Sequence, residues 1–491
     1  MRSAALAKIY NLQAFSVANS DTSFSSNIIS STTSTFPTTG EINVYFNKNV
    51  NSSVSSGVSA NENANFATIV IQKINNAKRS IDAALYSLSG TVGANIATAL
   101  VNAKNRGLKV RVIGEYDTRT TAPWTTLTSN GIPYINDSYG INDGSGLHHN
   151  KFFVIDYRGG APDSVWVIMG SWNPTDPGTN DDRQNLVLIQ DVALAGAYTV
   201  EFQEEWGSNT DTPISQNSRF GSRKLNNTPH NFIIGGVKVQ SYFSPSDGTT
   251  SRIAKTLSKA EKSINGSVMT FTRRDLADTV ISVKNRNRIA RLVLSNDTDS
   301  GTQFSYLQSN GVDIRLKGFS DGLLHHKYAI VDAEPFGYTP YVITGSHNWS
   351  SSAENSNDEN TLIIQDDQVA NFYLQEFAAR YYEAGGTDSI NIVTSVNESE
   401  FVTSTEFSLL QNYPNPFNPV TTIRFEVPLS QKVEIVVFDI LGRKVKELYN
   451  DIAPAGIIKI EFNAEDLASG MYVYQLKTKD ISISRKMVLL K

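Results

Sequence analysis

Two ten-residue stretches of the chain repeat one arrangement of side chains that could do chemistry. They are "LHHNKFFVID" at residues 147–156 and "LLHHKYAIVD" at residues 323–332. In each, a lysine follows a histidine by two residues and an aspartate follows it by seven. Side chains two apart in an extended strand lie on the same face, so each copy should present an imidazole beside an ammonium group. The predicted pairs are His149 with Lys151 and His325 with Lys327.

A short turn that could bind an anion follows each stretch. "GSWN" at residues 170–173 and "GSHN" at residues 345–348 could direct backbone, hydroxyl and amide donors towards one point. Lysines and neutral donors around a histidine suit a phosphate group. The candidate side chains of these turns are Ser171, Asn173, Ser346 and Asn348.

Each turn is followed by a polar residue that could orient a histidine. This residue is Gln184 in the first copy and Glu359 in the second, 14 residues after the glycine of the turn. A carboxylate there could hold one ring nitrogen of a histidine so that the other faces the substrate. Asp156 and Asp332 should lie on the opposite face of the strand, roughly 23 Å along it at ~3.3 Å per residue. We therefore interpret these two aspartates as structural or charge-balancing.

The histidines of the chain are concentrated in these segments. A single motif of this kind is more often a set of satisfied core or surface residues than a catalytic site. Here, however, five of the six histidines fall inside the paired stretches, which indicates a functional site. We interpret the less constrained His148, His326 and His347 as strand or loop residues that border the site. A zinc site built from His148 and His149 is disfavoured, because adjacent strand residues face apart.

The composition is typical of a globular protein with several domains. The chain has 491 residues, of which 40% are hydrophobic and 19% charged. A net charge of −5 gives no global attraction to nucleic acid or to an anionic membrane. The absence of cysteine excludes disulfides, thiolate metal sites and a cysteine nucleophile. The chemistry is therefore expected from the histidine segments.

The order of predicted elements repeats along the chain. Helical and strand-like patterns alternate in "NFATIVIQKINNAKRSIDAALYSLSG", and the same succession starts again at "VQSYFSPSDG". The sequence thus predicts a duplicated α/β sandwich with pseudo-twofold symmetry, followed by a small β-sandwich. The predicted segments are a flexible Ser/Thr-rich leader at 1–40, a first half at 41–210, a linker at 211–236, a second half at 237–385, a linker at 386–403 and the β-sandwich at 404–491.

The two motifs resemble the H-x-K-x4-D signature of the phospholipase D superfamily, and both copies also show the G-S-x-N turn of that family. "AALYSLSG" and "AKNRGLKVRVI" are similar to the family as well. The resemblance implies one site where both motifs meet, which cleaves phosphodiesters through a covalent phosphohistidine without metal or cofactor. It also implies a monomer, because one chain already carries both half-sites.

The resemblance further implies roles for the site residues. His149 is assigned to attack phosphorus, and His325 to act as general acid and base. Glu359 matches the glutamate of the family, whereas Gln184 departs from it and cannot give His149 the same electrostatic support. The alternatives are an exchange of roles between the two histidines, or substitution by Asp181 or Asp182. The residues expected to hold the phosphoryl oxygens are Lys151, Lys327, Asn173 and Asn348.

The substrate class is predicted from a basic segment. Residues 251–291 hold ten Lys or Arg and three Asp or Glu, a net charge of +7. Such a surface could follow a phosphate backbone, although solvated amphipathic helices explain the same pattern. We therefore predict a nuclease-like phosphodiesterase, with a phospholipase D that hydrolyses phospholipid headgroups as the alternative. A hypothesis from another class is a surface-displayed binding protein without turnover, which the intact motifs disfavour.

The last part of the chain contains motifs typical of a sorting signal. "NYPNPFNP", "VFDILGRKV", "GMYVYQLKT" and the basic end "SRKMVLLK" closely resemble the type IX secretion carboxy-terminal sorting domain. The resemblance covers residues 404–491 and implies the type IX secretion machinery as a partner. It also implies a location that is secreted or on the cell surface of a Gram-negative bacterium.

Overall fold

The computed structural model describes residues 8–18, 21–33, 40–139, 146–318, 321–334, 338–392, 407–410, 412, 415, 417–454 and 456–490. The chain forms two compact units, Met1–Ile392 and Val393–Lys491. Among the helices of the described ranges, none is both long and apolar enough to cross a membrane.

A β-hairpin lies in the segment for which the sequence predicts a flexible leader. β1 (Lys8–Ala18) pairs antiparallel with β2 (Asp21–Thr33). The prediction that structure begins near residue 41 is therefore wrong for these two segments. Strand pairing satisfies the backbone groups without a large apolar face, and β-branched Thr and Ile favour extended backbone. The remaining residues of the predicted leader, up to 39, lie outside the described residues.

The first half of the duplicated region is a seven-stranded mixed sheet with helices. Its elements are β3 (Glu41–Phe46), α1 (Phe66–Asn76), β4 (Ser80–Leu85), α2 (Gly90–Asn105), β5 (Lys109–Gly114), α3 (Ala122–Ser129), β6 (Tyr134–Asn136), β7 (Lys151–Ile155), β8 (Trp166–Gly170), α4 (Asp176–Asn180), β9 (Asn185–Gln190) and α5 (Val192–Trp206). The strand order is β3-β9-β8-β7-β4-β5-β6. Only β4, β5 and β6 run parallel to one another, as expected where helices connect successive strands.

The second half repeats this order with one additional edge strand. Its elements are β10 (Asn231–Ile234), β11 (Val237–Ser244), α6 (Thr249–Leu257), β12 (Ser263–Val268), α7 (Arg274–Asn285), β13 (Ile289–Leu294), α8 (Phe304–Ser309), β14 (Asp313–Leu316), β15 (Lys327–Val331), β16 (Tyr341–Gly345), α9 (Ser351–Asn355), β17 (Glu359–Gln365) and α10 (Asp367–Glu383). The strand order is β10-β11-β17-β16-β15-β12-β13-β14. The predicted duplicated α/β sandwich is thereby confirmed.

The boundary before the second half differs from the prediction. β10 lies inside the predicted linker at 211–236 but pairs antiparallel with β11, so the second sheet begins before residue 237. The turn between them consists of Gly235 and Gly236, which have φ angles of 55° and 89°. Two glycines between apolar runs are a hairpin signal, because both turn positions require positive φ. This signal in "FIIGGVKV" identifies the strand.

Each sheet packs one face on its own helices and the other on a core shared by both halves. Along β7, Phe152 and Val154 face the shared core, while Phe153 and Ile155 face the helices of the first half. The shared core also contains α5 and α10 side chains, and the outer face of the second sheet has its own cluster. Fully burying such a side chain contributes about 1.5–3 kcal/mol, so the shared core holds the halves in one relative position.

The second unit consists of two antiparallel sheets around one core. Its strands are β18 (Ser408–Leu409), β19 (Val420–Val427), β20 (Gln431–Asp439), β21 (Lys444–Ala453), β22 (Gly456–Asn463), β23 (Gly470–Lys477) and β24 (Ser482–Leu489). Val433, Ile435 and Val437 alternate along β20 and face the core, which is the period expected of a half-buried strand. The β-rich end is thus a β-sandwich. Most of the predicted linker at 386–403 lies outside the described residues.

Candidate active site

The two histidine motifs meet because each pairs with the opposite half of the chain. The backbone N–H of Arg183 donates to the carbonyl oxygen of Leu323 at 2.8 Å, and the N–H of His325 donates back to Arg183 at 3.0 Å. In the other direction, the N–H of Asp358 donates to Leu147 at 2.9 Å. The segment before each histidine is therefore fixed against the segment before Gln184 or Glu359 of the other copy.

The orienting side chains are exchanged between the halves. Nδ1 of His149 lies 2.8 Å from Oε2 of Glu359, and Nδ1 of His325 lies 2.8 Å from Oε1 of Gln184. The prediction that Gln184 weakens the support of His149 is wrong, because Gln184 belongs to the environment of His325. The carboxylate of Glu359 supports His149 instead. Across the described residues, neither Asp181 nor Asp182 hydrogen-bonds to His149, and Asp182 accepts the backbone N–H of Leu323.

These contacts determine which ring nitrogen of each histidine faces the site. His149 Nδ1 faces a carboxylate oxygen, so it carries the proton and Nε2 keeps a free electron pair. His325 Nδ1 faces two acceptors, Gln184 Oε1 and the carbonyl oxygen of Ser171 at 3.1 Å. His325 Nδ1 therefore also carries a proton, and Nε2 is the atom that can exchange one.

The two lysines lie directly beside their histidines and are almost fully buried. Nζ of Lys151 donates to the carbonyl oxygen of His149 at 2.8 Å, and Nζ of Lys327 donates to that of His325 at 2.6 Å. This agrees with the expectation that histidine and lysine share a face. β7 and β15 begin at the lysines, so the histidines precede the strands.

Burial and mutual repulsion shift the pKa values of the whole group. Burial lowers the pKa of His149 to about 4 and that of Lys151 to about 7, although Glu359 opposes both shifts. Burial, followed by the charges of Lys327, Lys151 and His149, lowers the pKa of His325 well below its usual value. Burial and Lys151 likewise lower the pKa of Lys327. Because Coulomb interactions weaken with distance, this coupling indicates that both histidine–lysine pairs face one site.

The glycine and the serine of each turn fix the turn against the neighbouring strand. Gly170 and Gly345 have φ angles of 147° and 156°, and a Cβ on either would lie within 2.4 Å of a carbonyl oxygen on the neighbouring strand. Ser171 Oγ and Ser346 Oγ, both fully buried, each accept a backbone N–H from that strand at 3.1 Å. The serines therefore tether the turns to the neighbouring strands through their hydroxyl oxygens.

The asparagines of the turns remain candidates for contacts with substrate. Asn173 and Asn348 are half-buried. Within the described part of the chain, Oδ1 of each has no hydrogen-bond partner. An amide oxygen only accepts hydrogen bonds, so a contact with a phosphoryl oxygen would come from the Nδ2 group of each asparagine.

The aspartates of the motifs close the far ends of their strands. Both have positive φ, 60° at Asp156 and 56° at Asp332. The carboxylate of Asp156 accepts the backbone N–H groups of Lys78, Arg79 and Ser80 at 2.7–3.1 Å. Asp332 does the same for Glu261, Lys262 and Ser263. These are the contacts of structural residues, at the ends of β7 and β15 opposite to the histidines.

A buried ion-pair network lies behind His149. His148, Glu205 and Asp358 place three atoms of metal-ligating type within 4.8 Å of one another. Nζ of Lys224, from the segment between the halves, lies 3.3 Å from Asp358 and 3.8 Å from Glu205 and also bonds Glu201. Burial opposes the charge of Lys224, but these carboxylates outweigh it and hold its pKa above the usual range. The ammonium thus already supplies a cation here, and we interpret the cluster as structural.

The structure adds two site residues that the motif analysis does not name. The ring of Tyr86 packs edge-on against that of His149 at 4.7 Å, and Lys151 Nζ lies 4.9 Å from the same ring. Met269 takes the corresponding place in the second half, with Sδ 3.4 Å from Lys327 Nζ. Both residues directly follow the strand beside the motif, β4 or β12, so aligning the two copies element by element would have found them.

The basic segment does not converge on the histidines. Arg273 pairs with Asp275, Arg274 with Asp278, and Arg291 with Glu334. α7 starts at the end of β12 that adjoins Lys327 and runs to the other end of the sheet. The cations at its far end, a strand length of roughly 20 Å away, are Lys284, Arg286 and Arg288. The segment therefore gives little support to a phosphate-backbone track into this site.

Comparisons with known proteins agree with this geometry. A family model described as "Cardiolipin synthase, PLD-like domain" matches residues 70–206 and 253–381, and one described as "Secretion system C-terminal sorting domain" matches residues 411–490. The chain is 36% identical over 139 residues to mitochondrial cardiolipin hydrolase of Xenopus tropicalis, which covers 28% of this chain and 63% of that protein. It is 31% identical over 145 residues to phospholipase D of Rickettsia conorii, covering 29% and 69%.

Solved structures also align with parts of this chain. Phosphatidylserine synthase of Haemophilus influenzae aligns with a TM-score of 0.48 at 16% identity, covering 69% of this chain and 85% of that one. The phospholipase D family member Nuc of Salmonella typhimurium aligns with a TM-score of 0.27 at 24% identity, covering 31% and 98%.

Proposed function

The chain belongs to the phospholipase D-like hydrolase family, and on this premise we propose that it is a phosphodiesterase that forms a covalent phosphohistidine at His149. The observation that carries the proposal is the exchanged pair of contacts, Glu359 with His149 and Gln184 with His325. In the proposed site these contacts direct both Nε2 atoms at one phosphorus atom, with different electrostatic support for each histidine. A nucleophile and a proton donor for one phosphorus atom require such an arrangement.

In the first step, His149 Nε2 attacks phosphorus, and the bond between phosphorus and the leaving oxygen breaks. His325 Nε2 gives its proton to that oxygen. Burial and then the ammonium charges of Lys327 and Lys151 lower the pKa of His325 in the free site, and the bound phosphodiester anion offsets those charges. In the second step, His325 takes a proton from water, the water oxygen bonds to phosphorus, and the bond to His149 breaks. Each turnover returns both histidines to their starting state.

The remaining residues bind charge in this proposal. Lys151 and Lys327 neutralise the phosphoryl oxygens, and the amides of Asn173 and Asn348 complete the contacts. The reaction needs no cofactor. One chain supplies both half-sites, so the proposed enzyme acts as a monomer. The sorting domain marks the protein for secretion or the cell surface of a Gram-negative bacterium and implies type IX secretion machinery as a partner.

We propose a phospholipid diester as the substrate class. The names of the similar proteins, a cardiolipin hydrolase and a phospholipase D, favour it. A nuclease with the same mechanism is the second candidate, because residues 251–291 carry a net charge of +7. Three of the five arginines named above are ion-paired, however, which weakens the nuclease prediction.

Hydrolysis of three substrates in the presence of a chelator tests the proposed function. We expect the protein to hydrolyse bis(p-nitrophenyl) phosphate and cardiolipin vesicles in EDTA, and to act more slowly on plasmid DNA. The control is the double variant H149A/H325A, with folding checked by thermal unfolding. Faster cleavage of DNA than of cardiolipin would select the nuclease, and equal rates for the control and the wild type would remove the mechanism.

The pH dependence of kcat/KM follows from the two shifted pKa values that carry a number. Attack needs unprotonated His149, which burial provides above about pH 4, and phosphate binding needs protonated Lys151, which burial restricts to below about pH 7. We expect kcat/KM for bis(p-nitrophenyl) phosphate to be highest between these values. A pH–rate profile measures both limbs, and an acidic limb near the ordinary histidine pKa of about 6.5 would contradict the assigned environment.

A further inference from the structure

The two halves of the site differ in the side chains that neighbour the orienting residues Gln184 and Glu359. In the antiparallel pairs, Gly170 lies opposite Leu186 and Gly345 lies opposite Thr361. Extending each register by two residues places Trp172 opposite Gln184 and His347 opposite Glu359. Directly opposed residues of this kind have Cβ atoms about 4.5–5.5 Å apart, so their side chains interact. The residue at the third position of each turn is thus the neighbour of the orienting residue.

In the first copy these side chains are neutral and fully paired. Trp172 Nε1 donates to Thr179 Oγ1 at 2.9 Å, and Gln184 Nε2 donates to the carbonyl oxygen of Gly178 at 3.1 Å. Gln184 is thus held from behind and presents its Oε1 to His325. No ionisable group takes part in these contacts.

In the second copy the same positions are ionisable. His347 replaces Trp172, Glu354 replaces Thr179, and Nε2 of His347 lies 3.5 Å from Oε2 of Glu354. That carboxylate also accepts the backbone N–H and the hydroxyl of Thr250 at 2.8 Å each. His347 is 2% exposed. Within the described ranges, neither ring nitrogen of His347 has a hydrogen-bond partner. The same is true of Oε1 of Glu359 in that part of the chain.

The unpaired ring of His347 and the unpaired Oε1 of Glu359 belong to opposed residues, so an interaction between them explains both. Glu359 is fully buried, and burial by itself favours its uncharged form. His149, Lys151 and His347 oppose this, and together they hold the pKa of Glu359 below its usual value. An ionised Glu359 therefore depends on positive charge from both sides. His347, whose Nε2 lies 3.5 Å from Oε2 of Glu354, is the ionisable group on the far side of Glu359.

We propose that His347 is a positioning residue for the nucleophile, paired with Glu354 and directed at Glu359 through one bridging water. Glu359 stays ionised and holds the Nδ1 proton of His149, so that Nε2 is free to attack. His325 has only the neutral layer of Trp172 and Thr179 behind it. The two histidines therefore differ both in the residue that orients them and in the residues behind it. This inference rests on the proposed function and assigns the residues that make His149 the nucleophile.

The test transplants the neutral layer of the first copy into the second. The double variant H347W/E354T installs the residues of Trp172 and Thr179 at the matching positions. We expect kcat for bis(p-nitrophenyl) phosphate to fall by about 10–100-fold, the usual range for losing an outer-layer partner, with a smaller change in KM. The acidic limb of kcat/KM should move to lower pH, because a less ionised Glu359 raises the pKa of His149 less than it does in the wild type. The histidine control is His230→Phe, outside the site, which should leave the profile unchanged.

A second variant and a second measurement keep the test decisive. H347Q/E354Q replaces both ionisable groups by amides with little change of volume, in case the tryptophan does not fit. In ¹⁵N-histidine-labelled protein, the low-field proton resonance of the His149 Nδ1–H bond to Glu359 should move upfield in both variants. Unchanged kinetics and an unchanged resonance in an active enzyme would overturn the role of His347 alone. A wild-type protein without turnover would instead overturn the proposed function.

Discussion

Replacing His149 with alanine should lower kcat/KM for bis(p-nitrophenyl) phosphate by about 10⁴-fold or more, because the variant has no atom that can form the bond to phosphorus. The loss should persist at every pH tested, in buffers that contain no imidazole. Thermal unfolding of the variant checks that the fold is intact. The change removes a side chain that is only 7% exposed, so a modest shift in stability is expected alongside the kinetic effect.

The corresponding variant of the second histidine should fail at a different step. p-Nitrophenolate leaves without needing a proton, so His325→Ala should still allow His149 to attack. It should then accumulate phosphohistidine, because no base activates the water. Rapid-quench or stopped-flow measurement should show a burst of one p-nitrophenolate per enzyme, followed by slow turnover. A burst in His149→Ala and none in His325→Ala would mean that the two roles are exchanged.

Replacing Glu359 with glutamine should lower the rate of the first p-nitrophenolate release, measured in a single turnover, by about 10²–10⁴-fold. A similar loss is found when a carboxylate behind a catalytic histidine is made neutral. The geometry should survive, because Gln184 shows that a carboxamide fits this place, with Oε1 on the histidine and Nε2 on a backbone carbonyl. The variant therefore isolates the charge of Glu359, which steadies the imidazolium-like transition state of attack.

The matched control for this charge is Gln184→Glu, which adds a carboxylate behind His325. It should affect leaving-group protonation and the second step more than attack, so the burst rate should change much less than in Glu359→Gln. Single-turnover experiments at several pH values separate these effects. If Gln184→Glu slowed the burst more than Glu359→Gln did, the assignment of His149 as nucleophile would be lost.

The residue types and spacings of the sequence were enough to predict the duplicated α/β sandwich and to single out the side chains proposed for the site. His149, Lys151, His325 and Lys327 follow from a motif that occurs twice, because a strand with period two places histidine and lysine together. The sorting domain follows from local motifs in the same way. The start of the second sheet was predicted wrongly because the Gly235–Gly236 hairpin signal before β11 was not used, and two segments of the predicted leader form the hairpin of β1 and β2.

What the sequence could not determine is which half supports which histidine. Read along the chain, Gln184 belongs to the copy of His149, and Glu359 to that of His325. The folded chain exchanges them, because the shared core brings the strand ends of the two sheets together and pairs Arg183 with Leu323 and Asp358 with Leu147. Local patterns encode strands and faces, whereas contacts between residues 141 or 210 positions apart arise only when the two halves pack. The tertiary structure therefore decided the electrostatic difference between two motifs that are nearly identical in sequence.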